Sequence, residues 1–175
     1  ADAMIEALGP AGGKVAILHY AQAESCRLRV KGFTDIINEH NETASGDIEI
    51  VSTLEGGGKR PISTNATQDL LQSLPELKGI FCINDPSALG AVTALEGAGR
   101  EDIVVIGFDG QREALEAIRD GRIYADPIQY PDQMGIKVVE QFVAFSSGEE
   151  VDSEILIPTT LYTREIPEQD ETLDE

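Results

Sequence analysis

Residues 79–110, GIFCINDPSALGAVTALEGAGREDIVVIGFDG, constrain what this chain can fold into more than any other stretch. The apolar run Gly79-Ile80-Phe81-Cys82-Ile83 has the length and content of a buried strand. Asn84-Asp85-Pro86 breaks it. Asp85 is expected to cap a helix, with Pro86 at the first helical position, where its missing N–H has no partner to lose. Leu89, Val92, Ala94 and Leu95 give that helix an apolar face, and the glycines at 97 and 99 end it. A second strand over 103–108 runs into Asp109-Gly110. Two strands joined by one helix, each ending in an acid or an amide, form a βαβ unit. Sheets built from such units take ligands beyond the carboxyl ends of their strands. Asn84, Asp85 and Asp109 are therefore the first residues to ask about function.

The same alternation runs through the rest of the chain. Strands are expected over 14–20, 48–54, 123–129 and 155–163. Helices are expected over 1–8, 24–40, 65–74, 111–120 and 131–146, with a loop over 55–64. Strand and helix in turn predict an α/β fold, a doubly wound parallel sheet covered on both faces.

Charge narrows the partners. With 13 Lys and Arg against 32 Asp and Glu the net charge is −19, which argues against nucleic acid, since neutralising phosphates needs clustered bases. No apolar run approaches the roughly 20 residues of a membrane span. Residues 164–175 read as an acidic tail expected to be disordered. Cys26 and Cys82 are too few for a disulfide framework and read as buried free thiols. Residues 1–8 form an amphipathic pattern without the basic start of a secretion signal, so either a targeting segment was removed or the chain belongs to a longer protein.

Familiar catalytic and cofactor motifs fail on their spacing. Gly56-Gly57-Gly58-Lys59 is followed by Arg60-Pro61, not by the Ser or Thr of a phosphate loop. No dinucleotide glycine pattern follows the first strand, and no nucleophile elbow exists. A phosphoacceptor domain would need acids where His19-Tyr20 stands. His19 and His40 lack partners at metal-ligand spacing, so neither a metal nor a cofactor is expected.

What remains at the strand tips is polar rather than reactive: His19, Tyr20, Arg27, Asn84, Asp85, Asp109 and Gln129. A guanidinium, carboxylates and amides together offer donors and acceptors, which suits vicinal hydroxyls. No nucleophile has an activating base, so the set reads as a binding site and not as an enzyme's.

Five motifs carry a resemblance: Arg27-Leu28-Arg29-x-x-Gly32-Phe33, Phe81-x-x-Asn84-Asp85-x-x-Ala88-Leu89-Gly90-Ala91, Val105-Ile106-Gly107-Phe108-Asp109-Gly110, Gly121-Arg122-x-x-Ala125 and Gln129-Tyr130-Pro131-Asp132-Gln133-x-Gly135. On these the chain resembles the carboxyl-terminal half of the ribose-binding-protein-like periplasmic sugar receptors. The resemblance implies that Arg27, Asn84, Asp109 and Gln129 bind sugar hydroxyls. Tyr20 and Asp85 are possible additions. Ribose binders carry a stacking aromatic in the loop where this chain has Gly56-Gly57-Gly58, so the sugar is left open.

The resemblance also implies one lobe of a two-lobed receptor, closing by a hinge and serving the membrane permease of an ABC-type importer in the periplasm or outside the cytoplasm. Residues 1–129 would form the lobe and 130–154 a crossover whose helix packs on the missing first lobe. Residues 155–163 would return as the final strand, and 164–175 form the tail. Without the first lobe, the apolar side of 131–146 (Met134, Val138, Val139, Phe142, Val143) is expected to pair with a second copy of the chain. The alternative is the effector lobe of a lactose-repressor-type regulator, which shares the fold. Gly110 after Asp109, where such regulators carry a second acid, favours the receptor.

Overall fold

A computed structural model describes residues 1–43 and 46–165. The chain runs α1 (Asp2–Leu8), a 3-10 turn (Gly9–Ala11), β1 (Gly13–His19), α2 (Glu24–Thr43), β2 (Ile48–Glu55) and α3 (Arg60–Ser73). It continues through β3 (Leu77–Cys82), α4 (Asp85–Ala98), β4 (Val104–Ile106), α5 (Arg112–Arg119), β5 (Ala125–Ile128), α6 (Pro131–Ser146) and β6 (Thr160–Thr163).

Six strands form one sheet in the order β2-β1-β3-β4-β5-β6. The first five are parallel, and β6 pairs antiparallel with β5, Ala125 facing Thr163. The expected doubly wound parallel α/β sheet forms, with β6 as a single antiparallel strand at its edge. The order reverses direction between β1 and β3, and in such sheets a crevice opens at that switch point.

Side chains alternate along β1, so Val15 and Ile17 enter one core and Ala16 and Leu18 the other. Under α1 and α2, Met4, Phe33, Ile37, Phe81 and Ile106 pack together, with the Phe33 and Phe81 rings stacked at 4.5 Å. Under α3, α4 and α5 lie Leu70, Ile80, Leu89, Leu95, Leu115 and Ile118. Cys26 belongs to the first core and Cys82 to the second, both as free buried thiols, so the sheet itself separates them.

Several element boundaries differ from expectation for local reasons. α3 begins at Arg60, inside the expected 55–64 loop, because Gly57 and Gly58 turn the chain at φ 61° and 62° and Pro61 is tolerated in a first helical turn. The expected cap of α4 moves by one residue: Asn84 is the N-cap, its side chain accepting from Ser87 N, and Asp85 lies inside the helix. The final strand spans only Thr160–Thr163, since residues 149–159 form no ladder. From residue 166 onward the expected tail lies outside the described residues.

α6 forms as expected but buries none of its residues. Val138 and Phe142 are both 69% exposed, and Ile136, Val139, Val143 and Phe145 are exposed as well. No helix among the described residues is long and apolar enough to cross a membrane.

Candidate functional site

The residues at the ends of the parallel strands gather along one edge: His19 at the end of β1 and Tyr20 next to it, Asn84 after β3, Asp109 after β4 and Gln129 after β5. Asp109 is the centre of the best-connected group. Its Oδ1 accepts from Gln129 Nε2 at 2.7 Å and lies 2.9 Å from Arg29 Nη1. Its backbone bridges to β5, with its N–H on Pro127 O and its carbonyl taking Gln129 N–H. Asp109 adopts φ 127°, a region that residues other than glycine rarely occupy and that is held only when the surroundings enforce it. Burial, more than any neighbour, raises the Asp109 pKa above the ordinary value; Arg29 opposes this, and the charge of Asp85 adds to it.

Arg29 is a site residue that the motif reading did not select. Besides Asp109, its Nη1 donates to Ile83 O at 2.6 Å, and its guanidinium sits 3.8 Å over the Phe108 ring. Arg27, expected at the site, is exposed on the first turns of α2 and donates to Ala21 O at 2.8 Å. Helical periodicity separates the two. Cys26, Arg29, Phe33 and Ile37 are spaced by three or four residues and share the stripe facing the sheet, whereas Arg27 lies a step around the helix.

Asn84 joins the capping of α4 to the glycine loop, its Nδ2 donating to Gly58 O at 3.1 Å while Oδ1 caps Ser87 N. Tyr20 stands beside the same loop, its ring within ordinary contact of a Cβ placed on Gly58. Glu55 steadies both sides, accepting from Ala21 N at 3.2 Å and Gly57 N at 3.0 Å. Asp85 is fully buried behind the edge, where its Oδ2 accepts from Gln111 N at 2.6 Å. The structure therefore brings Asp109 and Gln129 into contact and sets Asn84 and Tyr20 around Gly58. It leaves Arg27 on the rim and Asp85 underneath.

Chemically this edge offers Asp109 Oδ2, Gln129 Oε1 and the second N–H of Asn84, none with a hydrogen-bond partner among the described residues. Acceptors and donors alternate, and the set contains no nucleophile–base pair. No group of three or more metal-ligating side chains occurs among the described residues.

A family model described as "Periplasmic binding protein domain" matches residues 1–150. The ribose import binding protein of Salmonella typhimurium is 32% identical over 155 residues, 88% of this chain and 50% of that protein. The D-apiose import binding protein of Paraburkholderia graminis is 30% identical over 139 residues, 79% of this chain and 43% of that protein. The chain spans about half the length of the curated relatives it matches. An ABC transporter periplasmic solute binding protein from Actinobacillus succinogenes, solved with bound D-allose, superposes with a TM-score of 0.86 at 27% identity, over 96% of this chain and 57% of that one. An ABC transporter solute binding protein from Agrobacterium vitis, solved with D-fucose, gives a TM-score of 0.83 at 33% identity over 97% and 57%. The match over residues 1–150 and the superposed structures agree: the chain belongs to the periplasmic binding protein domain family.

Proposed function

We propose that this chain supplies one wall of a sugar-binding cleft in the solute-binding protein of an ABC-type importer. The observation that carries the reading is the Asp109–Gln129 contact at the carboxyl edge of the sheet. Asp109 and Gln129 accept from sugar hydroxyls, Asn84 and Arg27 donate to them, and Tyr20 lends an aromatic face. Residues 1–129 form the lobe and 130–154 the crossover. Residues 155–163 include the returning strand. A second lobe closes over the edge by a hinge. The protein works in the periplasm and hands its sugar to a membrane permease.

The exposed apolar side of α6 supports this division, because a surface rich in Val, Phe and Ile needs a partner. In the two-lobed protein that partner is the first lobe; in the isolated chain it is a second copy. The test is a thermal-shift screen of the two-lobed protein with D-ribose, D-allose and D-apiose, with Arg27→Ala and Asp109→Ala as controls. A sugar that stabilises the parent and neither variant supports the proposal. The absence of any shift, or equal shifts in all three proteins, refutes it.

A further inference from the structure

Beneath Asp109 lie two carboxyls that sugar binding does not use. Asp85, the first residue of α4, and Asp126, in β5, are both 0% exposed. Each gives one oxygen to the backbone of the turn after Asp109: Asp85 Oδ2 accepts from Gln111 N at 2.6 Å and Asp126 Oδ1 from Gly110 N at 3.1 Å. The remaining oxygens, Asp85 Oδ1 and Asp126 Oδ2, have no donor among the described residues. They converge over Gly107. A Cβ on that glycine would run into Asp126 Oδ2 and lie 3.0 Å from Asp85 Oδ1, and the two side chains are within hydrogen-bonding reach of each other.

Two buried acceptors facing each other repel unless a proton lies between them. One proton, carried on Asp126 Oδ2 and donated to Asp85 Oδ1, satisfies both oxygens with a single bond. Asp85 is the better site for the negative charge. It sits in the first turn of α4, where the helix dipole favours an anion, and takes the Gln111 N–H.

We infer that Asp126, protonated and bonded to Asp85, is a positioning residue for Asp109: the pair clamps Gly110 and Gln111 from below and holds Asp109 at its φ of 127°. The inference rests on the sugar-binding reading for what Asp109 is for, but not for how Asp109 is held. Burial first, then Asp85, pushes Asp126 up to about 10. Burial raises Asp85 as well, and the hydrogen bond from Asp126 opposes that rise, as it should for the partner that keeps the charge.

Three other titratable or charged groups face the pair. Asp109, on the turn between β4 and α5, raises Asp126 further. Arg29, from α2, sits across Asp109 and offsets its charge. Cys82, at the end of β3, is kept a thiol by burial first and then by the two carboxylates. When the shared proton leaves to solvent at alkaline pH, the two anions repel, and the turn carrying Asp109 loses its lower support.

The test is a carboxyl-carbon NMR titration of the full chain from about pH 4 to about pH 12, with the Gly110 and Gln111 amides followed in the same samples and no sugar present. Asp85 and Asp126 are expected to titrate as a pair that keeps one proton above about pH 7, with both amides shifting at the same midpoint. In Asp126→Asn, the new amide donates to Asp85 and its oxygen accepts from Gly110. Both backbone amides should then keep the parent's low-pH positions across the range. Two ordinary carboxyl titrations overturn the inference, and so does a raised titration that leaves Gly110 and Gln111 unmoved. Because no sugar is involved, a failure of D-ribose, D-allose and D-apiose all to bind would sink the functional proposal and leave this result standing.

Discussion

Replacing Arg29 by alanine removes three interactions with one change. The guanidinium lies 2.9 Å from Asp109 Oδ1, donates to Ile83 O at 2.6 Å, and stacks on Phe108 at 3.8 Å. Hydrogen bonds to charged groups contribute about 1.5–3 kcal/mol each. A cation over an aromatic ring adds about 0.5–1 kcal/mol, or more when desolvated. These terms are not additive, and with side chains 14% and 16% exposed the pair keeps some contact with water. Asp109 can also relieve part of the loss by protonating, since burial already raises its pKa. The expected cost is therefore about 3 kcal/mol, below the upper range for breaking a buried pair. For a chain of this size that is a melting-temperature fall of about 6–12 °C. The chain has no Trp, so urea and thermal unfolding are best followed by circular dichroism. Arg29→Lys should recover only part of the loss, because an ammonium cannot reproduce the planar contact with Phe108 while bonding Asp109 and Ile83. Arg27→Ala, at an exposed position with one backbone contact, should stay within about 0.5 kcal/mol of the parent. Equal stabilities of the two alanine variants would refute the reasoning.

Asn84→Ala should destabilise the chain by about 1–2 kcal/mol in urea, since it removes both the α4 cap and the bond to Gly58; an unchanged midpoint would deny Asn84 its capping role. Gly58→Val should cost more than about 1 kcal/mol by the same assay, because φ is 62° there and a Cβ would lie 3.2 Å from Asn84 Nδ2. The pH dependence of melting follows from Asp126, whose protonated form the folded state prefers. Its contribution is complete below the ordinary value of 3.8 and is lost as pH rises toward about 10, so melting temperature should fall between these limits. Asp126→Asn should flatten that slope, and a parent whose stability rises over this range would contradict the assignment.

The layered fold was legible because strand and helix signals alternate cleanly, and buried runs such as Ile80-Phe81-Cys82-Ile83 leave little choice of structure. Element ends were less legible where propensity and tertiary contact compete. Arg60 to Thr64 look like loop beside three glycines and a proline, yet Ser63 is fully buried and its Oγ bonds Gly56 O, which draws the helix start forward. The antiparallel return of β6 has no local signal, since pairing direction depends on the path of the whole crossover. At the candidate site, Asn84, Asp109 and Gln129 were legible because each lies just beyond the carboxyl end of a strand. Arg29 could have been found from its three- and four-residue spacing with Cys26 and Phe33. Asp126 could not: an acid between Ala125 and Pro127 reads as the polar side of a strand, and its meaning depends on Asp85, far away in sequence, arriving next to it over Gly107.

Arg27 and Arg29 stand two residues apart and cannot exchange roles. Arg29 is committed: moving it toward a ligand would strip Asp109 of its cation and Ile83 O of its donor. Arg27 gives up only its exposed bond to Ala21 O, a loss within about 0.5 kcal/mol that a ligand hydroxyl offsets. An arginine that engages a sugar from this wall is therefore expected to be Arg27, with Arg29 holding Asp109 in place to accept. In the two-lobed protein proposed above, Arg27→Ala should weaken D-ribose binding about 10- to 100-fold, the equivalent of one charged hydrogen bond, at unchanged melting temperature. Arg29→Ala should lower affinity and stability together, because its effect passes through Asp109. If Arg27→Ala binds D-ribose as tightly as the parent, the rim arginine is a solvent-facing residue of α2, and the donor to the sugar must come from Asn84 alone on this wall.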